Sequence, residues 1–304
     1  MSARERTELT APDGTKICCW ERVPTEATEA VIFVHGATYG GHSAFDPDGF
    51  SWLDAVAATG RAAYAPDIRG YGDSERPDEL DMPAGRNPPV VRASTAAQDV
   101  ATVLAEVDDS YGTVHLVGYS WGTMISGVML TELNVEVASL VQYAPVYSPV
   151  EERRDRFGLE ANPKAFRRVT KADARERWAE QRPENAAPQD AFAAFWDALV
   201  SSGQRTGDGE IIAPNGTLVD LDAAIDTPVY DAAAIDVPTL VVRGSLDTAS
   251  TRTDALTLYD AVGGANKTYT EIAGGTHFLQ FESDRDQLYE TVESFHDWIE
   301  SSHY

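Results

Sequence analysis

The stretch that most constrains this chain is Gly118-Tyr119-Ser120-Trp121-Gly122. It fits the pattern G-x-S-x-G, a turn that lifts a serine off a strand end and onto a helix start. Glycine and serine are common in loops, so the pentapeptide takes its meaning from its flanks. Thr113-Val114-His115-Leu116-Val117 precedes it, an apolar, β-branched run that reads as a strand. Thr123 to Leu130 follows, apolar and too long for a strand, and reads as a buried helix. The glycines have a steric reason. A serine in such a turn takes a positive φ, and side chains at the flanking positions would collide across the strand–helix crossing.

Around this turn strand and helix patterns alternate. Thr7 to Thr10 and Lys16 to Val23 flank Pro12-Asp13-Gly14 and read as a hairpin. Strands are expected at Ala30–Val34, Arg61–Pro66 and Ala138–Tyr143, with helices at Phe50–Ala58 and Ser94–Val107, the latter capped by Ser94 or Thr95. Such alternation predicts a parallel sheet with helices on both faces. It breaks from about Val146 to Asp236. There, charged and aromatic helices at Ala172–Gln181 and Asp190–Ser202 precede a second expected hairpin, Ile211–Ala213 and Thr217–Val219 about Pro214-Asn215-Gly216. The sheet pattern resumes at Pro238–Arg243, then a helix at Asp254–Tyr259, a strand at Thr268–Ile272 and a last helix at Asp284–Ile299. Residues 146–236 therefore read as an insertion into a domain made of 1–145 and 237–304.

Composition excludes some functions. With 304 residues and 43% apolar content, the chain can bury a sizeable core. Asp and Glu number 49 against 24 Lys and Arg, a net charge of −25. Nucleic acid and anionic membranes would be repelled, so neither is expected as a partner. Lys16, Lys164, Lys171 and Lys267 are the only lysines. Such an acidic, lysine-poor surface fits a salt-rich cytoplasm or an ordinary acidic protein. Cys18 and Cys19 are adjacent and have no histidine beside them, which argues against a disulfide framework or a metal site. No signal peptide or membrane span is read, and a cytoplasmic protein is expected.

A serine hydroxyl needs a base to attack anything, and the base needs an acid to orient it. On a doubly wound sheet such groups gather where strands end. Three residues satisfy that rule: Ser120, Asp247 after the 238–243 strand, and His277 in Gly274-Gly275-Thr276-His277 after the last strand. Glu151 and Glu152 are rivals for the acid, but beside Arg153 and Arg154 they read as an ion-paired helix start. His115 reads as a sheet residue, His296 as a helix residue and His303 as tail, while His42 lies in a glycine-rich loop where it could touch substrate. The backbone N–H groups of Trp121 and Ala37 are the expected donors to an oxyanion.

Taken together, His35-Gly36-Ala37, Asp67-x-Arg69-Gly70-x-Gly72-x-Ser74, the 118–122 turn, Asp247 and Gly275-Thr276-His277 make the chain resemble the α/β-hydrolase family over 7–145 and 237–301. The resemblance implies the α/β-hydrolase fold, a mostly parallel doubly wound sheet, with a largely helical cap at 146–236. It implies a Ser120–His277–Asp247 triad, an acyl-enzyme intermediate, a small-molecule substrate, and no metal or cofactor. Serine at 120 speaks against the branches that attack with a carboxylate. A carboxylesterase acting on a small or medium ester or lactone is the leading expectation. Trp121 is also similar to the tryptophan in proline iminopeptidase elbows, whose caps read an amino terminus with acidic residues; Glu176, Glu180 and Glu184 are candidates. Carbon–carbon bond hydrolases share the triad, and a non-catalytic binding protein of this fold is a further alternative. Tyr119, Trp178, Phe192, Phe195 and Trp196 are candidate substrate contacts.

Overall fold

The computed structural model describes residues 3–301 apart from 134, 158, 160–161, 181–186 and 189. Gln181, Glu184 and His303 lie outside the described residues. Among the described residues ten strands form: β1 (Glu5–Thr10), β2 (Lys16–Arg22), β3 (Glu29–Val34), β4 (Ala62–Pro66), β5 (Thr113–Tyr119), β6 (Ser139–Tyr143), β7 (Phe166–Val169), β8 (Ile211–Pro214), β9 (Thr239–Gly244) and β10 (Lys267–Ile272). The α-helices are α1 (Gly41–Phe45), α2 (Trp52–Thr59), α3 (Ala93–Asp108), α4 (Trp121–Glu132), α5 (Arg154–Phe157), α6 (Lys171–Glu180), α7 (Ala191–Val200), α8 (Gly216–Asp226), α9 (Arg252–Ala261) and α10 (Arg285–Ser301).

Eight strands make one sheet in the order β1-β2-β4-β3-β5-β6-β9-β10. The β1–β2 and β2–β4 pairs are antiparallel, and the remaining pairs are parallel. The central strands read as continuous apolar runs because both of their faces are covered. Ile32 and Val34 of β3 point to one side, where Val100, Leu104, Ile125 and Val128 of α3 and α4 pack. Val31 and Phe33 point to the other, against Trp52 and Leu53 of α2 and Leu288 and Val292 of α10. Each such side chain, fully withdrawn from water, contributes roughly 1.5–3 kcal/mol. A one-residue register slip would exchange the two faces.

Local signals explain several boundaries. The β1–β2 turn closes through the Gly14 N–H on the Ala11 carbonyl at 2.8 Å, with Gly14 at φ 95°. Cys18 and Cys19 are both free and buried in β2. Helix α2 starts on Ser51, whose hydroxyl accepts the Asp54 N–H, and ends at Gly60 in the left-handed region. Helix α3 departs from expectation. Neither Ser94 nor Thr95 caps it; its first residue is Ala93, whose N–H is bonded by the Asp220 carboxylate at 2.7 Å.

Between β6 and β9 the chain leaves the sheet and forms α5, β7, α6, α7, β8 and α8. The second hairpin expectation is corrected here. β8 pairs antiparallel with β7, while Gly216–Asp226 is helical. Pro214-Asn215-Gly216 makes the strand-to-helix turn. Thr217, Asp220, Leu221 and Ala224 bury one face at helical spacing, which outweighs the local turn signal. Among the described residues, no helix is long and apolar enough to cross a membrane.

Candidate active site

Strand β5 carries the chain to Ser120, which sits at φ 55° and ψ −120° just before α4. The left-handed φ aims the side chain away from the sheet, and the surrounding packing must hold that strain. Gly122 shows how close the crossing is: a Cβ there would lie 2.1 Å from the Val34 carbonyl oxygen. Gly36, across from the serine, has the same constraint, since a Cβ would meet the Ser120 Cβ at 2.9 Å.

Ser120 Oγ lies 3.0 Å from His277 Nε2, and His277 Nδ1 lies 2.9 Å from Asp247 Oδ2. Three strand ends, those of β5, β9 and β10, thus meet in one hydrogen-bonded line. Each member is itself held. The other carboxylate oxygen of Asp247 accepts the Ala249 and Ser250 N–H groups at 2.7 and 2.8 Å. Arg243, buried in β9, donates to the Asp247 carbonyl at 2.8 Å. The His277 carbonyl accepts the Tyr119 hydroxyl at 2.9 Å, so the residue beside the nucleophile fixes the loop that carries the imidazole. Asp247 has no exposed side-chain surface, and 9% of the His277 side chain reaches solvent. The rival acid Glu151 is instead exposed and pairs with Arg154 at 2.9 Å.

Trp121 directly follows the serine, and Ala37 lines the same cavity as Ser120. The Trp121 ring turns the other way, its Nε1–H donating to Asp220 at 3.0 Å. His35 braces the Ala37 loop. Its Nδ1 bonds the Gly36 carbonyl at 2.8 Å, and its Nε2 accepts the Ile68 N–H at 3.1 Å. Burial pushes its pKa down to about 4, so the ring is neutral and can accept that bond. The Asp67 carboxylate on the neighbouring loop gathers the Gly41 N–H at 2.6 Å, the Trp20 indole N–H at 3.0 Å and the Asp73 N–H at 2.9 Å. Burial lifts its pKa to about 6 despite these donors.

Ser120 and His277 open into a cavity of about 380 Å³ that Tyr119, Phe278, Leu218 and Leu221 also line. Trp178, Phe192, Phe195 and Trp196 do not line it, which corrects their expected role. They pack into one buried cluster with Tyr39, Phe50, Phe278 and Phe281, and their helical spacing serves that core. His42 is placed elsewhere too, stacked on Trp20 with ring centroids 4.2 Å apart. Among the cavity residues that escaped sequence reasoning are three arginines, Arg153, Arg167 and Arg177, all from the segment between β6 and β9. Gln204 also escaped it; its buried amide donates to the Thr38 carbonyl at 2.6 Å beside the Ala37 loop.

Glu29, His115 and Glu300 place metal-ligand atoms within 4.8 Å of one another, at the opposite end of β3 and β5 from the serine. Arg61 already bonds both carboxylates, at 2.8 Å, and supplies the charge a cation would bring.

A sequence model of the alpha/beta hydrolase family matches residues 31–291. A search of curated proteins returns no match. Solved structures resemble the whole chain at low identity. An esterase from Exiguobacterium antarcticum is 19% identical, with a TM-score of 0.67 over 96% of this chain and 99% of that one. An E-2-(acetamidomethylene)succinate hydrolase is 16% identical, with a TM-score of 0.69 over 97% and 100%. A thermophilic esterase from Thermogutta terrifontis, solved with malate bound, is 14% identical, with a TM-score of 0.65 over 97% and 99%. At such identities the structural likeness speaks to the fold alone. Family match, strand order and fold agree, and the chain belongs to the α/β-hydrolase family.

Proposed function

We propose that this protein is a serine hydrolase, a carboxylesterase acting on a small or medium ester or lactone. The observation that carries the reading is the unbroken Ser120–His277–Asp247 hydrogen-bond line at the floor of a cavity. His277 Nε2 removes the Ser120 proton as Oγ attacks the substrate's carbonyl carbon. Asp247 keeps the other proton on Nδ1 and stabilises the imidazolium that forms. The carbonyl oxygen becomes an oxyanion, which the Ala37 and Trp121 N–H groups receive. Collapse expels the alcohol, which takes the proton back from His277, and leaves an acyl group on Ser120. Water repeats the sequence, with His277 as base, and releases the acid.

Residues 146–236 act as a cap on a core of 1–145 and 237–304. Support comes from Arg167, Arg177 and Leu218, which lie in that segment and line the cavity. Of the acids expected to read an amino terminus, Glu180 lines the cavity, but Arg167 and Arg177 outnumber it there and would repel an ammonium ion, which favours an ester.

A serine-directed fluorophosphonate probe tests the reading. Wild type should be labelled and Ser120→Ala should not. His277→Ala should lower the rate of p-nitrophenyl butyrate hydrolysis by about three orders of magnitude or more. Equal labelling of wild type and Ser120→Ala would sink the proposal.

A further inference from the structure

A protein of net charge −25 has carboxylates to spare for its arginines, and many of them are paired. Arg61 bonds Glu29, Asp297 and Glu300; Arg69 bonds Asp13 and Asp99; Arg154 bonds Glu151, Asp222 and Asp226. The cavity over Ser120 breaks that pattern. Arg167, in β7, meets only neutral acceptors. Its Nη1 donates to the Pro214 carbonyl at 3.0 Å and to Asn215 Oδ1 at 3.1 Å, and its Nη2 donates to Thr38 Oγ1 at 2.6 Å. Its Nε is buried with no partner among the described residues. Arg177, exposed on α6, has no carboxylate within ion-pair distance among the described residues. One acid, Glu180, lines the same space.

A cation withdrawn from water without a counter-charge is costly. Arg167 is half-buried, and burial pulls its pKa down to about 10, with Arg177 adding repulsion. Packing does not require a charge at this position, because the groups that meet the guanidinium are a hydroxyl, an amide and a carbonyl. Position adds a second argument. Thr38, which Arg167 grips, directly follows Ala37 and itself takes φ 81°. The unneutralised charge therefore stands beside the loop that faces the reacting carbonyl.

We propose that this cavity takes an ester whose molecule also bears a free carboxylate, and that Arg167, aided by Arg177, supplies its counter-charge. The proposal rests on the serine-hydrolase reading for the word ester, while the carboxylate subsite stands on the arginines alone. A guanidinium offers parallel N–H donors that match a carboxylate's two oxygens, so a charged ligand gains both attraction and orientation.

The test uses Ser120→Ala, which holds ligand without cleaving it, and calorimetry with monoethyl glutarate and its neutral counterpart diethyl glutarate. The monoester should bind about tenfold tighter or better. Adding Arg167→Gln should bring the two affinities to within about twofold of each other. Equal affinities in Ser120→Ala, no measurable monoester binding at millimolar concentration, or a preference that survives Arg167→Gln would each overturn the subsite. The ratio separates recognition from a merely structural role, since a disturbed Thr38 loop would weaken both ligands. Should circular dichroism show that Arg167→Gln does not fold, the exposed Arg177→Gln carries the test. A loss of at least about threefold in the ratio is then expected, and an unchanged ratio overturns the subsite. Wild-type turnover of both esters keeps the two readings apart. Preference without turnover would sink the hydrolase and leave the subsite; turnover without preference would do the reverse.

Discussion

His296 is buried without the hydrogen-bond partners that Ser120, His277 and Asp247 give one another. It lies on α10, stacked on His115 with ring centroids 4.1 Å apart, and neither of its ring nitrogens has a partner among the described residues. Burial holds its pKa well below the usual value, and His115 and Arg61 push the same way. The folded protein therefore refuses a proton that the unfolded chain accepts near pH 6.5. That difference destabilises the fold as pH drops below about 6.5, by up to about 1.4 kcal/mol per pH unit for each such histidine. His35 and His115, both lowered to about 4 by burial, act in the same direction. Asp67 and Asp254 oppose them, because burial raises each to about 6 and the folded state keeps protons that the unfolded chain has lost. Comparing a variant with wild type cancels these common contributions. His296→Phe should keep the stack on His115, remove an unsatisfied polar group worth about 1 kcal/mol, and show a shallower loss of stability from pH 7 to 5. Urea titrations at both pH values check this. An unchanged pH slope would mean that His296 titrates normally.

Helix α8 carries a carboxylate that joins parts of the chain far apart in sequence. Asp220 is buried and accepts the backbone Ala93 N–H that opens α3 and the indole N–H of Trp121, the first residue of α4, and it pairs with Arg92. One group from the segment between β6 and β9 thus holds the first residue of each of two helices. Asp220→Ala would leave both donors unmet, so a cost of about 3 kcal/mol is expected in urea unfolding. A cost below about 1 kcal/mol would mean that the contacts are replaceable. The same residue shows what was legible in the sequence. The sheet, its helices and the meeting of Ser120, Asp247 and His277 could be anticipated because strand ends on one edge must converge, whatever lies between them. The cap of α3 could not, since its acceptor is 127 residues away. Nor could the aromatic residues on α6 and α7, where helical spacing looks alike for a core and for a binding wall. Arg167 gave no local sign, because its meaning lies in the carboxylate that it lacks.

For the whole molecule, two electrostatic effects compete under salt. Ion pairs such as those of Arg61 and Arg69 stabilise the fold, and added salt weakens the exposed ones. Self-repulsion among 49 acids against 24 bases destabilises it, and added salt relieves that too. Exposed pairs are each worth about 1 kcal/mol or less, and buried pairs such as Arg69–Asp99 are screened little. The repulsion spans the entire surface, and its relief sums over all the surplus charges. It should therefore dominate between 0.05 and 1 M KCl, as the screening length falls to about 3 Å. The midpoint of thermal unfolding should rise by several degrees over that range, since each kcal/mol is worth about 2–4 °C in a protein of this size class. Differential scanning calorimetry along a KCl series measures it. A flat or falling midpoint would show that the ion pairs win, and that the acidic surface is held together by local pairing despite its net charge.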